Sequence, residues 1–292
     1  METQIKLRHP LQFATATVTG GFKGGERTAV DPDFRMISLE EISQGASPSA
    51  ELWVVMHGWN CSLDNFRQLA TAIAKAKPRD RVLLLDWQQI SLNGSFWNGG
   101  NYRVASWIIP VAEKIEYMLR RHWQVSDEDA HQKLHLVGHS LGSILSAELA
   151  ARFNQGAKII FALDPASEWH LRPFKGRKGY ALDGRTSVRE RPREFHTVAR
   201  HSIAFVGRHS AAGNQKLAAS AHQSFQLDFG SLSISQHVWV HEIFRRFIVP
   251  EISLTECCFN LCYPEIKLSL VKRKAYRFPR RVTCSLRQTR SI

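Results

Sequence analysis

The chain has 292 residues, of which 43% are hydrophobic and 22% are charged, and its formal net charge at pH 7 is +13. This composition is typical of one globular α/β unit, alone or with a small appendage. No run approaches the roughly 18 uncharged apolar residues of a membrane-spanning helix, and no apolar segment of a Sec signal peptide follows the first six residues. We therefore expect a soluble protein that is cytoplasmic or is secreted by a route without a Sec signal peptide.

Basic residues and cysteines are unevenly distributed. Most of the excess positive charge lies between Arg172 and Arg200 and in the tail after Pro250. Aromatic residues do not alternate with these charges as they do on a surface that stacks single-stranded nucleic acid, so we expect no nucleic-acid partner. The first interpretation is a solvated basic loop and tail, and the second is contact with an anionic lipid interface. Four of the five cysteines follow Pro250. This is not the pattern of a secreted disulfide framework, and nothing completes a zinc site with Cys258 and Cys262.

The first 50 residues give weak signals, with a glycine-rich turn at Gly20–Gly25 and a candidate edge strand at Phe34–Ile37. From Glu51 onward, short apolar runs alternate with helical patterns, which predicts βαβ units and a parallel sheet. The predicted strands are nearly all apolar, so we expect helices to cover both faces of the sheet. These strands are Leu52–Met56, Val82–Leu85, Leu134–Val137 and Lys158–Leu163.

Apolar residues at helical spacing predict the helices between these strands. The helical segments are Phe66–Ile73, Ile108–Leu119, Ser143–Phe153 and Val238–Val249. Residues 168–194 are dense in Gly, Arg and Pro and are interpreted as a long loop or cap within a catalytic domain of residues 51–250. The basic tail 251–292 has no clean periodicity, and we predict that it is not part of the core.

The segment Gly138–Gly142 has the pattern G-x-S-x-G, with Ser140 at its centre, between a predicted strand and a predicted helix. In this context the motif forms a sharp turn that exposes the serine hydroxyl at the top of an α/β-hydrolase sheet. The helix dipole at this position favours developing negative charge. We therefore predict an α/β-hydrolase fold, a mostly parallel sheet with helices on both faces, with Ser140 as nucleophile.

A serine hydroxyl needs a base, and the base needs an acid that orients it, in the chain order Ser, acid, His. Asp164 ends the strand after Ser140, and Pro165 stops that strand, so Asp164 is the preferred acid over Asp183 and Asp228. His237 begins the last apolar helix and is the preferred base, whereas His241 lies one turn inside the helix.

The developing oxyanion requires two backbone N–H donors. One is predicted at Leu141, directly after the nucleophile, and the other at Trp59, in the loop after the first predicted strand. Gly58 gives that loop the freedom to direct its amide inward. His139 is interpreted as a packed residue of the turn. This chemistry needs no metal and no other cofactor.

Four segments together resemble the pancreatic lipase family, which includes triacylglycerol lipases and phospholipases A1. They are His57–Trp59, Leu85–Trp87, Val137–Gly142 and Leu163–Ala166, within a region of about Glu51 to Pro250. The resemblance implies that Asp164 is the catalytic acid, that His237 is the base and that Trp59 supplies an oxyanion amide. It also implies a lipid or acyl-ester substrate.

The chain departs from this family in having no cysteine between Cys61 and Cys257, so a disulfide-bridged lid is not expected. The 168–194 cap contains Trp169, Phe174 and Tyr180, which would allow transient contact with a lipid interface. The working hypothesis is a lipase-like carboxylic ester hydrolase. A general esterase or thioesterase of the same fold and a non-catalytic lipid-binding relative remain alternatives. The oligomeric state is left open.

Overall fold

A sheet of ten strands forms the centre of the part of the chain that the computed structural model describes. The described residues are 12–19, 34–43, 45, 50–92, 104–105, 107–167, 181–182, 188–189, 192–228, 235–249, 268–270 and 282–291. The strands are β1 (Phe13–Thr19), β2 (Phe34–Ser43), β3 (Leu52–Met56), β4 (Arg81–Asp86), β5 (Leu134–His139), β6 (Ala157–Leu163), β7 (Ala181–Leu182), β8 (Val188–Arg189), β9 (Ala199–Gly207), β10 (Gln223–Asp228), β11 (Leu268–Leu270) and β12 (Val282–Ser291).

The helices are α1 (Leu63–Ala76), α2 (Gln88–Ser91), α3 (Ile108–His122), α4 (Asp127–Lys133), α5 (Leu141–Ala150), α6 (Gln215–Ala218) and α7 (Ser235–Ile243). A short 3₁₀ turn (Phe195–Thr197) precedes β9, and a π-helical turn (Phe244–Ile248) continues α7. Among the described residues, no helix has the length and apolar character needed to cross a membrane.

The strand order is β1-β2-β4-β3-β5-β6-β9-β10-β12-β11, while β7 and β8 pair with each other. Neighbours from β4 to β10 run parallel, and β2 is antiparallel to both β1 and β4. The order from β1 to β10, with an antiparallel second strand and a strand-to-helix turn after β5, is that of the α/β-hydrolase fold. The predicted fold class is confirmed.

Two buried apolar clusters lie on opposite faces of the sheet. Successive residues of β3 contribute to different clusters, with Val54 and Met56 in one and Trp53 and Val55 in the other. Because side chains alternate along a strand, this division means that β3 is covered on both faces. Residues of α3 and α5 belong to the first cluster, and residues of α1 and α7 belong to the second.

The amino-terminal expectation needs a correction. The candidate edge strand Phe34–Ile37 is the beginning of β2, but β2 lies between β1 and β4. The outer strand is β1, in which Ala14 and Val18 are buried while Phe13 is exposed. The sequence prediction missed β1 because the residues that alternate with threonine along it are mostly small, which makes its period-two pattern weak. Gly20–Gly25 lies outside the described residues.

The described residues of the tail extend the sheet. Strand β12 pairs antiparallel with β10, from Gln223 opposite Ser291 to Asp228 opposite Ser285. An unpaired edge of β10 would present free backbone donors and acceptors, which this pairing satisfies. The alternation of Val282, Cys284 and Leu286 with polar residues is a period-two pattern that the tail's basic composition obscured. The remaining tail residues lie outside the described part, and the predicted division into domains stays a prediction.

Candidate active site

The strand-to-helix turn after β5 holds Ser140 in a strained backbone conformation. Its φ of 56° and ψ of −121° lie in a region that L residues rarely adopt. Two long-range hydrogen bonds fix it there: the Ser140 N–H donates to Leu163 O at 3.0 Å, and the Ala166 N–H donates to Ser140 O at 3.2 Å. Strain of this kind persists only where the surroundings impose it, and it is common at functional sites.

Glycines allow the loop after β3 to pack directly against this turn. A Cβ atom at Gly142 would lie 2.5 Å from Met56 O, and one at Gly58 would lie 2.6 Å from Ser140 Cβ. Neither distance can accommodate a side chain, so both positions depend on glycine. The close approach brings Gly58, and with it the following residue Trp59, next to Ser140.

Asp164 follows β6 and is fully buried, with a φ of 43°. Its Oδ1 accepts a hydrogen bond from the Gly207 N–H at 2.8 Å, and its Oδ2 accepts one from the Ser210 hydroxyl at 2.5 Å. His237 Nδ1 also lies 2.5 Å from Oδ2. Because an ionised carboxylate only accepts, Nδ1 carries the hydrogen in this pair. Three donors thus compensate the buried charge of Asp164.

His237, the base that the sequence prediction preferred, lies in the first turn of α7, and its side chain is 13% exposed. Its ring faces that of His139, the neighbour of Ser140, at a centroid distance of 4.6 Å. With Nδ1 bound to Asp164, Nε2 is the ring nitrogen that remains for a substrate or nucleophile. The structure therefore brings Ser140, Asp164 and His237 to the carboxyl end of the central strands.

The other candidate base and the other candidate acids from the sequence are His241, Asp183 and Asp228. The ring of His241 stacks on Phe66 at 5.0 Å, and its Nδ1 has no hydrogen-bond partner within the described part of the chain. His241 is therefore buried away from Asp164, which favours His237 as the base. Asp183 lies outside the described residues, and Asp228 ends β10.

The two predicted oxyanion donors come from the helix that follows Ser140 and from the loop after β3. Leu141 is the first residue of α5, so its N–H has no helical acceptor four residues earlier. Trp59 follows Gly58, which contacts Ser140. The assignment of both amides to an oxyanion hole remains a prediction.

Sequence reasoning missed Gly207 and Ser210, the other two groups that bind Asp164. Gly207 is the last residue of β9, and Ser210 lies in the turn after it. The sequence prediction did not include this strand. The run Ile203–Val206 is apolar and typical of a buried strand, so this signal was present but was overlooked after the long basic segment. No local pattern identifies Ser210 itself, because its partner is distant in sequence.

Three buried histidines surround Phe66, beside the candidate base. They are His57, His139 and His241, with ring centroids 5.9, 5.7 and 5.0 Å from that of Phe66. Burial lowers the pKa of His57 and of His241 to about 4. Burial, and then the charges of His237 and His241, lower the pKa of His139 well below its usual value. These three rings are therefore neutral at neutral pH.

These low pKa values predict that the protein loses stability in weak acid. Between the ordinary value of 6.5 and the folded value of about 4 for His241, the unfolded chain binds more protons than the folded chain. The contribution of neutral His241 to stability is fully present above the ordinary pKa of 6.5, and it falls as the pH drops towards the folded pKa of about 4. For His241 alone we expect a loss of about 2 kcal/mol between roughly pH 7 and pH 5.

Urea unfolding at these two pH values tests this prediction in the wild type and in His241→Phe, which keeps an aromatic ring against Phe66. The variant should show the smaller fall in unfolding free energy with pH, whatever its absolute stability. An equal pH dependence in both proteins would contradict it.

Comparison with known proteins finds structural likeness only. No family model matches the chain, and no curated protein matches it in sequence. The similar solved structures include the esterase domain of a Rhodothermus marinus protein, with 15% identity over 82% of this chain and 98% of that chain and a TM-score of 0.43. A predicted CIB-like hydrolase from Thermoplasma acidophilum has 11% identity, coverage of 82% and 97%, and a TM-score of 0.46. Dienelactone hydrolase from Anabaena variabilis has 14% identity, coverage of 81% and 96%, and a TM-score of 0.43.

Sequence identities this low do not transfer an activity, so the assignment of the fold rests on the strand order and on the turn at Ser140. No narrower family, including the pancreatic lipase family, follows from these likenesses. The chain has the α/β-hydrolase fold.

Proposed function

We propose that this protein is a serine hydrolase that cleaves carboxylic esters through an acyl-enzyme. The observation that carries the proposal is the 2.5 Å hydrogen bond between His237 Nδ1 and buried Asp164. This bond lies at the carboxyl end of the central strands, where Ser140 has its strained backbone conformation. A carboxylate, an imidazole and a serine at this place in this fold provide an acid, a base and a nucleophile in the required chain order.

In the proposed reaction, Ser140 Oγ attacks the ester carbonyl carbon while His237 Nε2 takes the hydroxyl proton. Asp164 holds the other ring nitrogen and stabilises the imidazolium that forms. The tetrahedral intermediate then expels the alcohol, which receives the proton from Nε2, and an acyl-Ser140 ester remains. Water attacks this ester in the same way, which releases the carboxylic acid and restores Ser140.

Charge on the carbonyl oxygen is stabilised by two backbone amides in this proposal, those of Trp59 and Leu141. Leu141 begins a helix, so its amide is unused within α5 and the helix dipole adds to the stabilisation. The Asn60 N–H donates to Ser91 O at 3.0 Å, which anchors the loop that carries Trp59. A donor fixed before the substrate arrives costs no reorganisation during the reaction.

The proposed substrate is a lipid or another ester with an apolar acyl chain, as in the pancreatic lipase family that the motifs resemble. Two exposed apolar side chains are neighbours in sequence of residues at or near the site and support this choice. Val238, next to the base, is 38% exposed, and Leu92, next to the Ser91 anchor of the Trp59 loop, is 49% exposed. Apolar surface there would contact an acyl chain or a lipid interface. The cap aromatics Trp169, Phe174 and Tyr180 lie outside the described residues.

Hydrolysis of a short and a long p-nitrophenyl ester and of a phospholipid vesicle tests this function, together with labelling by a fluorophosphonate probe. We expect labelling, turnover of the esters and a higher kcat/KM for the long acyl chain. The variant Val238→Ser should lower kcat/KM for the long ester about tenfold and leave the short ester nearly unchanged. In this proposal the long acyl chain covers the exposed Val238 side chain, and such burial contributes about 1.5 kcal/mol.

The outcomes separate the alternatives. A preference for the short ester, with no gain from vesicles, would favour a general esterase, and turnover of acyl thioesters alone would favour a thioesterase. A folded wild type that neither labels nor turns over any substrate, yet binds vesicles, would favour the non-catalytic lipid-binding relative.

A further inference from the structure

We infer that His139 is a positioning residue that holds the backbone of the catalytic base, an inference that rests on the proposed function. His139 stands inside the G-x-S-x-G segment, one residue before the nucleophile, and sequence reasoning treated it as a packed residue only. Its ring, however, makes a specific polar contact across the site. His139 Nε2 lies 2.8 Å from the carbonyl oxygen of His237.

This contact defines which ring nitrogen of His139 carries the hydrogen. A carbonyl oxygen can only accept, so Nε2 is the donor and Nδ1 presents its lone pair. The Cys61 Sγ lies 3.7 Å from Nδ1 and 3.5 Å from Trp59 O, so its hydrogen can reach either acceptor. Burial raises the pKa of this thiol to about 11, so it remains a neutral S–H group at neutral pH.

The bond gives the base a second point of attachment. Asp164 fixes the ring of His237 through Nδ1, and His139 fixes the main chain from which that ring extends. Two attachments on different elements restrict the direction of Nε2 more than one does, which matters because catalysis is sensitive to small displacements of the reacting groups. His139 is itself immobilised, since its ring is 1% exposed and packs against Phe66.

The neutral state of His139 also suits its position. During the reaction His237 becomes an imidazolium whose ring centre lies 4.6 Å from that of His139. A second positive charge at this distance would oppose that step. The titratable groups that face His139 are His57 on the β3 loop, Cys61 before α1, and His237 and His241 on α7. The buried histidines among them stay neutral, so only His237 needs to take up a proton.

Two variants of matched shape test the role. His139→Phe keeps a ring in the cavity and removes the donor, whereas His139→Gln retains an amide N–H that can reach the same carbonyl oxygen. We expect His139→Phe to lower kcat about tenfold with little change in KM, as for the loss of one hydrogen bond that aligns a reacting group. His139→Gln should recover most of the rate. The inference would be overturned by a His139→Phe variant with the kcat of the wild type, or by a His139→Gln variant whose kcat is as low as that of His139→Phe.

A second measurement does not depend on turnover. Ring ¹⁵N spectra of histidine-labelled protein should show His139 as the neutral Nε2–H form at neutral pH, unchanged by Ser140→Ala. The Nδ1–H form would contradict the hydrogen bond, and a protonated ring at neutral pH would contradict the neutral state of His139. A wild type that is inert and unlabelled by fluorophosphonate contradicts the proposed function itself. An active wild type together with a His139→Phe variant of unchanged kcat contradicts this inference alone.

Discussion

Replacing Ser140 by alanine is expected to lower kcat by roughly four to six orders of magnitude, because the nucleophile that forms the acyl-enzyme is lost. The residual rate would come from the oxyanion donors and from substrate binding. Alanine retains the Cβ atom, so the backbone strain at φ 56° is unchanged and the fold should persist. Hydrolysis of p-nitrophenyl esters and fluorophosphonate labelling measure the effect, and circular dichroism checks the fold.

Ser146→Ala is the matched control for this substitution. Ser146 is buried on the helix that follows Ser140, and its hydroxyl donates to Gly142 O at 2.8 Å, a bond within the helix that involves none of the three proposed triad residues. Its loss should change the rate less than tenfold. Normal turnover or normal labelling in folded Ser140→Ala would refute Ser140 as the nucleophile.

Replacing Asp164 by asparagine is expected to lower kcat by about 10³- to 10⁴-fold with a small change in KM. The present carboxylate accepts hydrogen bonds from Gly207, Ser210 and His237. An asparagine has only one accepting oxygen, so its NH₂ group would face at least one of these donors. Where it faces His237, the ring must turn its hydrogen to Nε2, and Nε2 can then no longer accept the serine proton.

The same substitution should reduce the free energy of unfolding by about 1 to 3 kcal/mol, because a buried donor loses its acceptor. Urea unfolding measures this effect separately from the rate. Asp183→Asn and Asp228→Asn are the controls, since both carboxylates precede His237 in the chain and are the rival acids. If either control loses activity while Asp164→Asn retains it, the acid has been assigned to the wrong residue.

Ser210 offers a useful contrast with Asp164, since it acts through the carboxylate. It donates to Asp164 Oδ2 and accepts from the Gly213 N–H at 3.1 Å, so it links the acid to the turn after β9. This arrangement holds Oδ2 where it meets His237 Nδ1. The acid of the proposed triad is thus supported by β9, an element that lies after the long 168–194 segment.

Several features of this protein are encoded by residues that are close together in the chain. The apolar runs of β3, β5 and β6 and the helical spacing within α1 and α3 reflect periodicities of a few residues. The turn at Ser140 depends on a strand, a short glycine-flanked segment and a helix in direct succession. Fold class and candidate nucleophile could therefore be predicted without knowing any long-range contact.

The choice of His237 over His241 could be favoured from the sequence, but its contact with Asp164 belongs to the tertiary structure. The two histidines differ by one helical turn, and only the packing of α7 against the sheet determines which ring meets the carboxylate and which ring stacks on Phe66. The bonds of Asp164 to Gly207 and Ser210 likewise join residues that are far apart in sequence.

The sheet edges show the same distinction. A weak run such as β1 or β12 becomes a strand because a neighbouring strand offers unpaired backbone groups, and no pattern within the run itself shows that partner. The sequence by itself determined the periodic elements and the turn that presents Ser140, since backbone sterics and side-chain spacing act over a few residues. Only the tertiary structure decided which side chains meet at the site and where the sheet ends, because those contacts form between segments that the chain order keeps apart.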